Sequence, residues 1–276
     1  MRIAKTDYTG VQFYSSRTQV CNKLGEVVNC HYTNMNRSDI DWIKLAKFIA
    51  RRYYLADNVK INIFGCSDGS EVYTLLLALK KLPARVANKF KIFASDISPD
   101  IIDRNKKGEI YLHQDDLKFL KETDGLKYFE PDVLSEPQLI RGKVFYKYRV
   151  KDELKNLVDF SVKDIRKSSQ REDFSNQVVC FRNGWTFNSL NDQEMIANGL
   201  KYGCNENSLV IIGQYDLFKS DANRALQTNG FRGIESDAFV GKETNPPGMG
   251  PGEPIIKSSY PEYIFFEKNP FIYYDF

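Results

Sequence analysis

Residues 60–79 read KINIFGCSDGSEVYTLLLAL, and the fold turns on them. Ile61, Ile63 and Phe64 have the apolar spacing of a strand. Gly65, Cys66, Ser67, Asp68 and Gly69 follow as a tight turn of small and polar residues. From Ser70 onward the spacing predicts a helix, with Val72, Leu75, Leu76 and Leu79 on one apolar face. A glycine turn between strand and helix lets backbone N–H groups approach a ligand, and the helix N-terminus favours negative charge nearby. Residues 90–95 then read as a second strand ending in Asp96. An acid at the end of the second strand of such a unit can accept hydrogen bonds from ribose hydroxyls.

Outward from this pair the alternation continues. On the N-terminal side, Ser38-Asp39-Ile40-Asp41 resembles a capping box opening a helix that runs to about Tyr54. Residues 1–34 are polar and aromatic without a period, and read as an arm or an irregular cap; the arm is bounded at 1–35 and the main domain at 36–276. On the C-terminal side, Ser98-Pro99 starts a short helix that Gly108 closes. Residues 109–138 are charged, with Leu112, Leu117, Leu120 and Phe129 spaced for short helices, and 141–150 alternate as a strand. The stretch 108–150 is therefore expected to leave the main sheet as a small subdomain.

Strands follow at 158–164, ending in Asp164, and at 177–182, a nearly continuous apolar run ending in Arg182 and Asn183. Residues 192–202 read as a helix with Met195, Ile196 and Leu200 inward. Further strands are expected at 208–213 and 263–267, with a helix at 221–228 and a Gly/Pro-rich loop at 241–254. The aromatic tail 269–276 is expected to cover a sheet edge. Strands alternating with helices imply an α/β fold with a mostly parallel sheet, whose ligands bind at the carboxyl ends of the strands.

Composition narrows the chemistry. The chain has 276 residues, 39 basic and 36 acidic, for a net charge of +3. That balance gives no argument for nucleic acid, and no apolar run is long enough to insert in a membrane. With no apolar leader, a cytoplasmic protein is expected. Five cysteines without a C-x-x-C pair argue against disulfides and zinc, and two histidines, His31 and His113, argue against a histidine metal centre.

Gly65-Cys66-Ser67-Asp68-Gly69 is formally the G-x-S-x-G elbow of a serine hydrolase. That chemistry needs a histidine later in the chain, and none follows His113. Each other candidate has a plain structural reading beside the functional one. Asp96 before Ser-Pro could cap a helix, and Asp164 could be a solvated strand end. Arg182 at the mouth of a buried strand needs a carboxylate or phosphate partner, which an internal salt bridge would also satisfy. Cys66 and Cys180 read most simply as small buried residues.

Together these motifs resemble the CheR-type methyltransferases, which use S-adenosylmethionine to esterify glutamates on bacterial chemoreceptors. The family's first-loop motif is matched by Cys66-Ser67-Asp68-Gly69-Ser70-Glu71-Val72-Tyr73-Thr74, and its A-S-D-I by Ala94-Ser95-Asp96-Ile97. Its G-x-Y segment is similar to Gly108-Glu109-Ile110-Tyr111, and its C-R-N strand end to Cys180-Phe181-Arg182-Asn183. The resemblance runs from about Ser38 to Lys268. It implies a Rossmann-like methyltransferase fold, with a mostly parallel seven-stranded sheet and a small inserted β-subdomain that docks a receptor tail in some members.

By the same resemblance, Gly65, Cys66, Ser67, Gly69 and Glu71 lie near the amino-acid end of the cofactor. Asp96 and Ile97 lie at the ribose, and Asp164 and Ile165 beside the adenine. Arg182, also the candidate catalytic residue, and Asn183 lie by the methyl-transfer site. Asn36 and Ser38 stand where the family has its N-x-T-x-F-F-R motif.

The departures are specific. The family's N-terminal helical domain is absent or replaced, the arginine of that motif is missing at its place, Glu-Pro has become Glu71-Val72, and Phe187 stands for a tyrosine. The implied activity is methyl transfer to a protein carboxylate, such as a chemoreceptor-like glutamate. The alternatives are a cofactor-binding interaction module without turnover and a small-molecule methyltransferase.

Overall fold

The computed structural model describes residues 20–21, 27–28, 35, 37, 39–140, 143–240 and 263–269. By contacts the chain divides into Met1–Cys30 and His31–Phe276. In the first unit, β1 (Val20–Cys21) pairs antiparallel with β2 (Val27–Val28). The expectations for Asn36, Ser38, the 241–254 loop and the tail 270–276 lie outside the described residues.

The second unit begins with α1 (Trp42–Arg52), whose N-cap is Asp41, accepting from the Lys44 N–H. The helix thus starts later than the Ser38–Asp41 pattern predicts, and Asp39 is left for another partner. β3 (Val59–Phe64), the Gly65–Gly69 turn and α2 (Ser70–Lys80) form as expected. α2 differs in burial. Every residue from Ser70 to Leu79 is buried, not one face alone. The sheet and α1 take part of its surface, and a segment distant in sequence takes the rest.

That segment is the insertion. After α3 (Ala84–Ala87), β4 (Phe90–Asp96) and α4 (Pro99–Lys107), Gly108 closes the helix at φ 75°. A Cβ there would lie 2.9 Å from the Val150 carbonyl. β5 (Glu109–His113), α5 (Gln114–Glu122), β6 (Phe129–Pro131), β7 (Gln138–Ile140) and β8 (Lys143–Val150) then build a separate antiparallel sheet around β8. Residues 109–113 are strand where the leucine spacing suggested helix, because β8 offers them a long antiparallel partner. This subdomain covers α2: Phe129 meets Tyr73 edge-on, and Gly125 has no room for a Cβ beside Leu77.

The chain returns through α6 (Asp152–Lys155) to β9 (Val158–Val162), α7 (Ile165–Ser168), β10 (Val178–Phe181), α8 (Leu190–Gly203) and β11 (Leu209–Ile212). It ends through α9 (Gln214–Lys219), α10 (Ala222–Thr228), β12 (Phe231–Ile234) and β13 (Phe265–Lys268). On α8, Ile196 and Leu200 are buried, but Met195 is 39% exposed and belongs to the outer face.

The main sheet runs β12-β13-β11-β10-β3-β4-β9. The pairs from β11 to β9 are parallel, and β13 lies antiparallel between β11 and β12. β12 carries Gly233 and no apolar alternation, so its pairing comes from β13 rather than from local pattern. β10 and β11 are buried along their whole length, which requires cover on both faces. The chain enters at β3, works outward through β4 to β9, and then restarts beside β3 with β10. The crevice between β3 and β10 is thus the point where strand order reverses, where open α/β sheets bind ligands.

Candidate functional site

Four strand ends meet around that reversal. Gly65 leaves β3 at φ 65°, and Gly69 enters α2 at φ 81°, a conformation that costs a side-chain-bearing residue about 1–2 kcal/mol. Between them the Cys66 N–H donates to the Ser95 carbonyl at 2.9 Å, and the Ser67 N–H donates to Asp96 Oδ2 at 3.1 Å. Buried Asn105, on α4, supports the turn from below, donating to the Ser67 carbonyl at 2.8 Å. Asp96 thus sits at the end of β4 with one oxygen on the Ser67 N–H and the other on the Ser98 N–H, at 3.0 Å. Its helix-start role and its loop-holding role are both real. A carboxylate accepts about four hydrogen bonds, so this pair of contacts leaves capacity on both oxygens.

The second group centres on Arg182, whose side chain is 1% exposed. Nη2 donates to Asp39 Oδ2 at 2.6 Å, and Nη1 lies 2.9 Å from Glu71 Oε2. The guanidinium also lies over the Trp42 ring, 5.1 Å from its centroid. The same Glu71 oxygen is approached by Arg37 Nε, at 3.9 Å. Two carboxylates and two guanidinium groups therefore balance in charge. Burial opposes ionisation of Asp39, but the Arg182 charge and hydrogen bond, helped by Arg37, outweigh it and hold the carboxyl below its ordinary value. Arg182 Nε and Trp42 Nε1 are buried without a hydrogen-bond partner among the described residues.

Asn183 follows at φ 55°, and its Oδ1 accepts from the Tyr215 N–H at 3.0 Å. In return Asp216 Oδ2 accepts from the N–H groups of Asn183 and Gly213, and Oδ1 from that of Trp185. This reciprocal pair ties the ends of β10 and β11 together. Gly213 is required there, since a Cβ would fall 2.1 Å from Asn183 Oδ1.

Asp164 stands apart from these groups in its bonding. It caps α7 through the Arg166 N–H and holds the Arg166 guanidinium in a two-pronged pair, at 2.9 Å and 2.6 Å. Ile165 is buried in the core, and Ile97 is half-buried. Burial raises the thiols of Cys66 and Cys180 well above their ordinary range, so neither is a thiolate nucleophile. Among the described residues no helix is long and apolar enough to cross a membrane.

The sequence reading singles out Asp96, Glu71 and Arg182, which the structure gathers at the strand ends, but not Asp39, which pairs with Arg182, or Asp216, which bonds Asn183. Asp39 and Asp41 are two residues apart, and only one of them can cap the helix; that was the available signal. Asp216 had none, because its role exists only where β10 and β11 end side by side.

A family model described as CheR methyltransferase, SAM binding domain, matches residues 32–233. A curated relative, the chemotaxis protein methyltransferase of Borreliella burgdorferi, is 24% identical over 191 residues. That alignment covers 65% of this chain and 60% of the relative, so the chain spans about three fifths of that protein. Among solved structures, magnesium protoporphyrin IX methyltransferase from Synechocystis PCC 6803 with bound SAM is similar over 70% of this chain and 69% of that chain. Its sequence identity is 13% and its TM-score 0.37. Precorrin-6y C5,15-methyltransferase from Geobacter metallireducens GS-15 is similar over 75% and 79%, with 10% identity and a TM-score of 0.36.

Proposed function

We propose that this chain, which belongs to the CheR methyltransferase family through its S-adenosylmethionine-binding domain, transfers the methyl group of S-adenosylmethionine to a carboxylate of a protein substrate. The observation that carries the reading is the convergence, at the strand-order reversal, of Asp96 under the Gly65–Gly69 turn with the Glu71–Arg182–Asp39 cluster.

The residues present fit that cofactor. Asp96 has spare acceptor capacity for two ribose hydroxyls. Glu71, at the start of α2, suits the cofactor's ammonium group, and Arg182 holds that carboxylate in place from behind. The unpartnered Arg182 Nε gives the cluster a further donor. Ile97, half-buried next to Asp96, offers apolar surface at the ribose. Asn183 completes the strand end, and Asn36 and Ser38 belong to the proposed contacts by family position.

When bound, S-adenosylmethionine supplies an electrophilic methyl group on sulfur. The methyl group would pass from that sulfur to an oxygen of the acceptor carboxylate, leaving a thioether, while Asp96 and Glu71 would hold the cofactor by its ribose and ammonium ends. The acceptor is already ionised at neutral pH, so no general base is needed. The chain's work is orientation and exclusion of water. That suits a site in which neither cysteine is activated.

The test has two stages. Calorimetric titration of S-adenosylhomocysteine into the protein and into Asp96→Ala should give binding that weakens by about 1.5–3 kcal/mol, roughly tenfold or more. Incubation with methyl-labelled cofactor and candidate chemoreceptor proteins should then give a base-labile protein ester. Binding without any ester would sink the carboxylate reading, and label in a small molecule would redirect it.

A further inference from the structure

We propose that Asp116, in the inserted subdomain, is a positioning residue for the cofactor site, acting through Met35 on Arg37. The inference rests on the reading of that site as a cofactor site. Asp116 is 2% exposed and uses its two oxygens on two different segments. Oδ2 accepts from the His113 N–H at 2.8 Å, closing the cap of its own helix, α5. Oδ1 accepts from the N–H of Met35 at 2.8 Å, 81 residues away. A cap alone needs only the first.

Met35 is fully buried and pinned from both sides. Its carbonyl lies 2.8 Å from Thr74 Oγ1, whose single proton it shares with the Ser70 carbonyl at the same distance. Thr74 follows Glu71 by three residues on α2, so the two share a helix face. The residue that anchors Met35 and the residue that meets Arg37 are therefore neighbours. Two residues beyond Met35, Arg37 reaches Glu71; two beyond that, Asp39 reaches Arg182, which also holds Glu71. Met35, held by one bond from the subdomain and one from α2, is the strap that brings Arg37 to Glu71. Releasing either bond loosens the approach of Arg37 to Glu71, whereas Asp39 has its own anchor, its carbonyl accepting from the Val240 N–H at 3.1 Å. The subdomain is thereby coupled to the strand ends through a defined pair of hydrogen bonds.

The test uses the full chain. Amide hydrogen exchange at Met35 and S-adenosylhomocysteine affinity are measured for Asp116→Asn, Thr74→Val, the double variant and His113→Ala. The asparagine keeps the shape but turns one acceptor into a donor facing an N–H group. His113→Ala removes the side-chain acceptor of the Asp115 N–H, the contact with the Asp115 carboxylate and the ring packing on Phe145, and so weakens the α5 cap without removing either bond to Met35. Asp116→Asn and Thr74→Val should each speed exchange at Met35 and weaken binding about tenfold. The double variant should be little worse than the weaker single, because the strap is already free. His113→Ala should lower the thermal midpoint and leave both readings unchanged. A fall in thermal midpoint for Asp116→Asn without change in exchange or affinity would reduce Asp116 to a helix cap. Thr74→Val gives the same decision if Asp116→Asn fails to fold. If the intact protein binds no S-adenosylhomocysteine, the cofactor reading fails, while exchange at Met35 still decides whether Asp116 holds the strap.

Discussion

Arg182 Nη2 donates to Asp39 Oδ2 at 2.6 Å across 143 residues of sequence, and both side chains are almost wholly buried. A guanidinium in that position has lost its water, and its two carboxylate partners, Asp39 and Glu71, are what makes the burial tolerable.

Removing the cation should therefore cost far more than a surface charge would. Arg182→Ala leaves Asp39 and Glu71 buried without the cation they share. We expect a loss of about 3–5 kcal/mol in urea unfolding. Arg182→Ala combined with Asp39→Asn should recover part of it. A loss below about 1 kcal/mol for the single variant would contradict the cluster as the anchor of this strand end.

Gly69→Ala tests the loop that Asp96 holds. The site has φ 81°, and the new Cβ would lie 3.2 Å from both Asn105 Oδ1 and Tyr73 Cε2. The left-handed conformation alone should cost about 1–2 kcal/mol. Cofactor affinity should fall with it, because Asn105 also bonds the Ser67 carbonyl. An unchanged thermal midpoint and unchanged titration together would refute the role of this turn.

Gly213→Ala tests the β10–β11 tie. Its Cβ would fall 2.1 Å from Asn183 Oδ1, so Asn183 must move. Overpacking of this kind costs about 1–3 kcal/mol. The displaced Asn183 amide should appear as a large chemical-shift change at Asn183 and Tyr215 in an amide spectrum.

Asp216 gives a pH dependence with a definite sign. Burial pushes its pKa from 3.8 up to about 7, against the N–H groups of Gly213 and Asn183 that donate to it. Between those two values the native protein holds a proton that the unfolded chain has lost. Its contribution to stability is thus greatest at the acidic end and declines as pH rises towards 7. Asp216→Asn should flatten that part of the profile of unfolding free energy against pH. Identical slopes in the two proteins would overturn the assignment.

Much of this was legible in the chain itself. The spacing in 60–79, the acid after 90–95 and the arginine after 177–181 point to the strand–turn–helix, the parallel sheet and three of the residues gathered at the strand ends. These are local signals: apolar period, turn residues and the polarity of a strand end depend on neighbours within a few positions. The 108–150 excursion was visible too, as a break in the α/β alternation, although 109–113 was read as helical. A leucine pair spaced for a helix cannot reveal that β8 waits more than thirty residues away.

Tertiary structure alone decided the rest. Asp39 looks like a capping residue until Arg182 is placed beside it, and α2 looks amphipathic until the insertion covers its outer face. Met35 carries no polar side chain, and its importance lies in a backbone N–H and carbonyl that Asp116 and Thr74 happen to reach. Asp216 serves only because β10 and β11 end in register. The sequence determines which residues can strand, turn, cap or ionise. Which buried charges meet depends on pairings between distant segments, and those follow from the packing of the whole unit, where a desolvated group is stable only beside its partner.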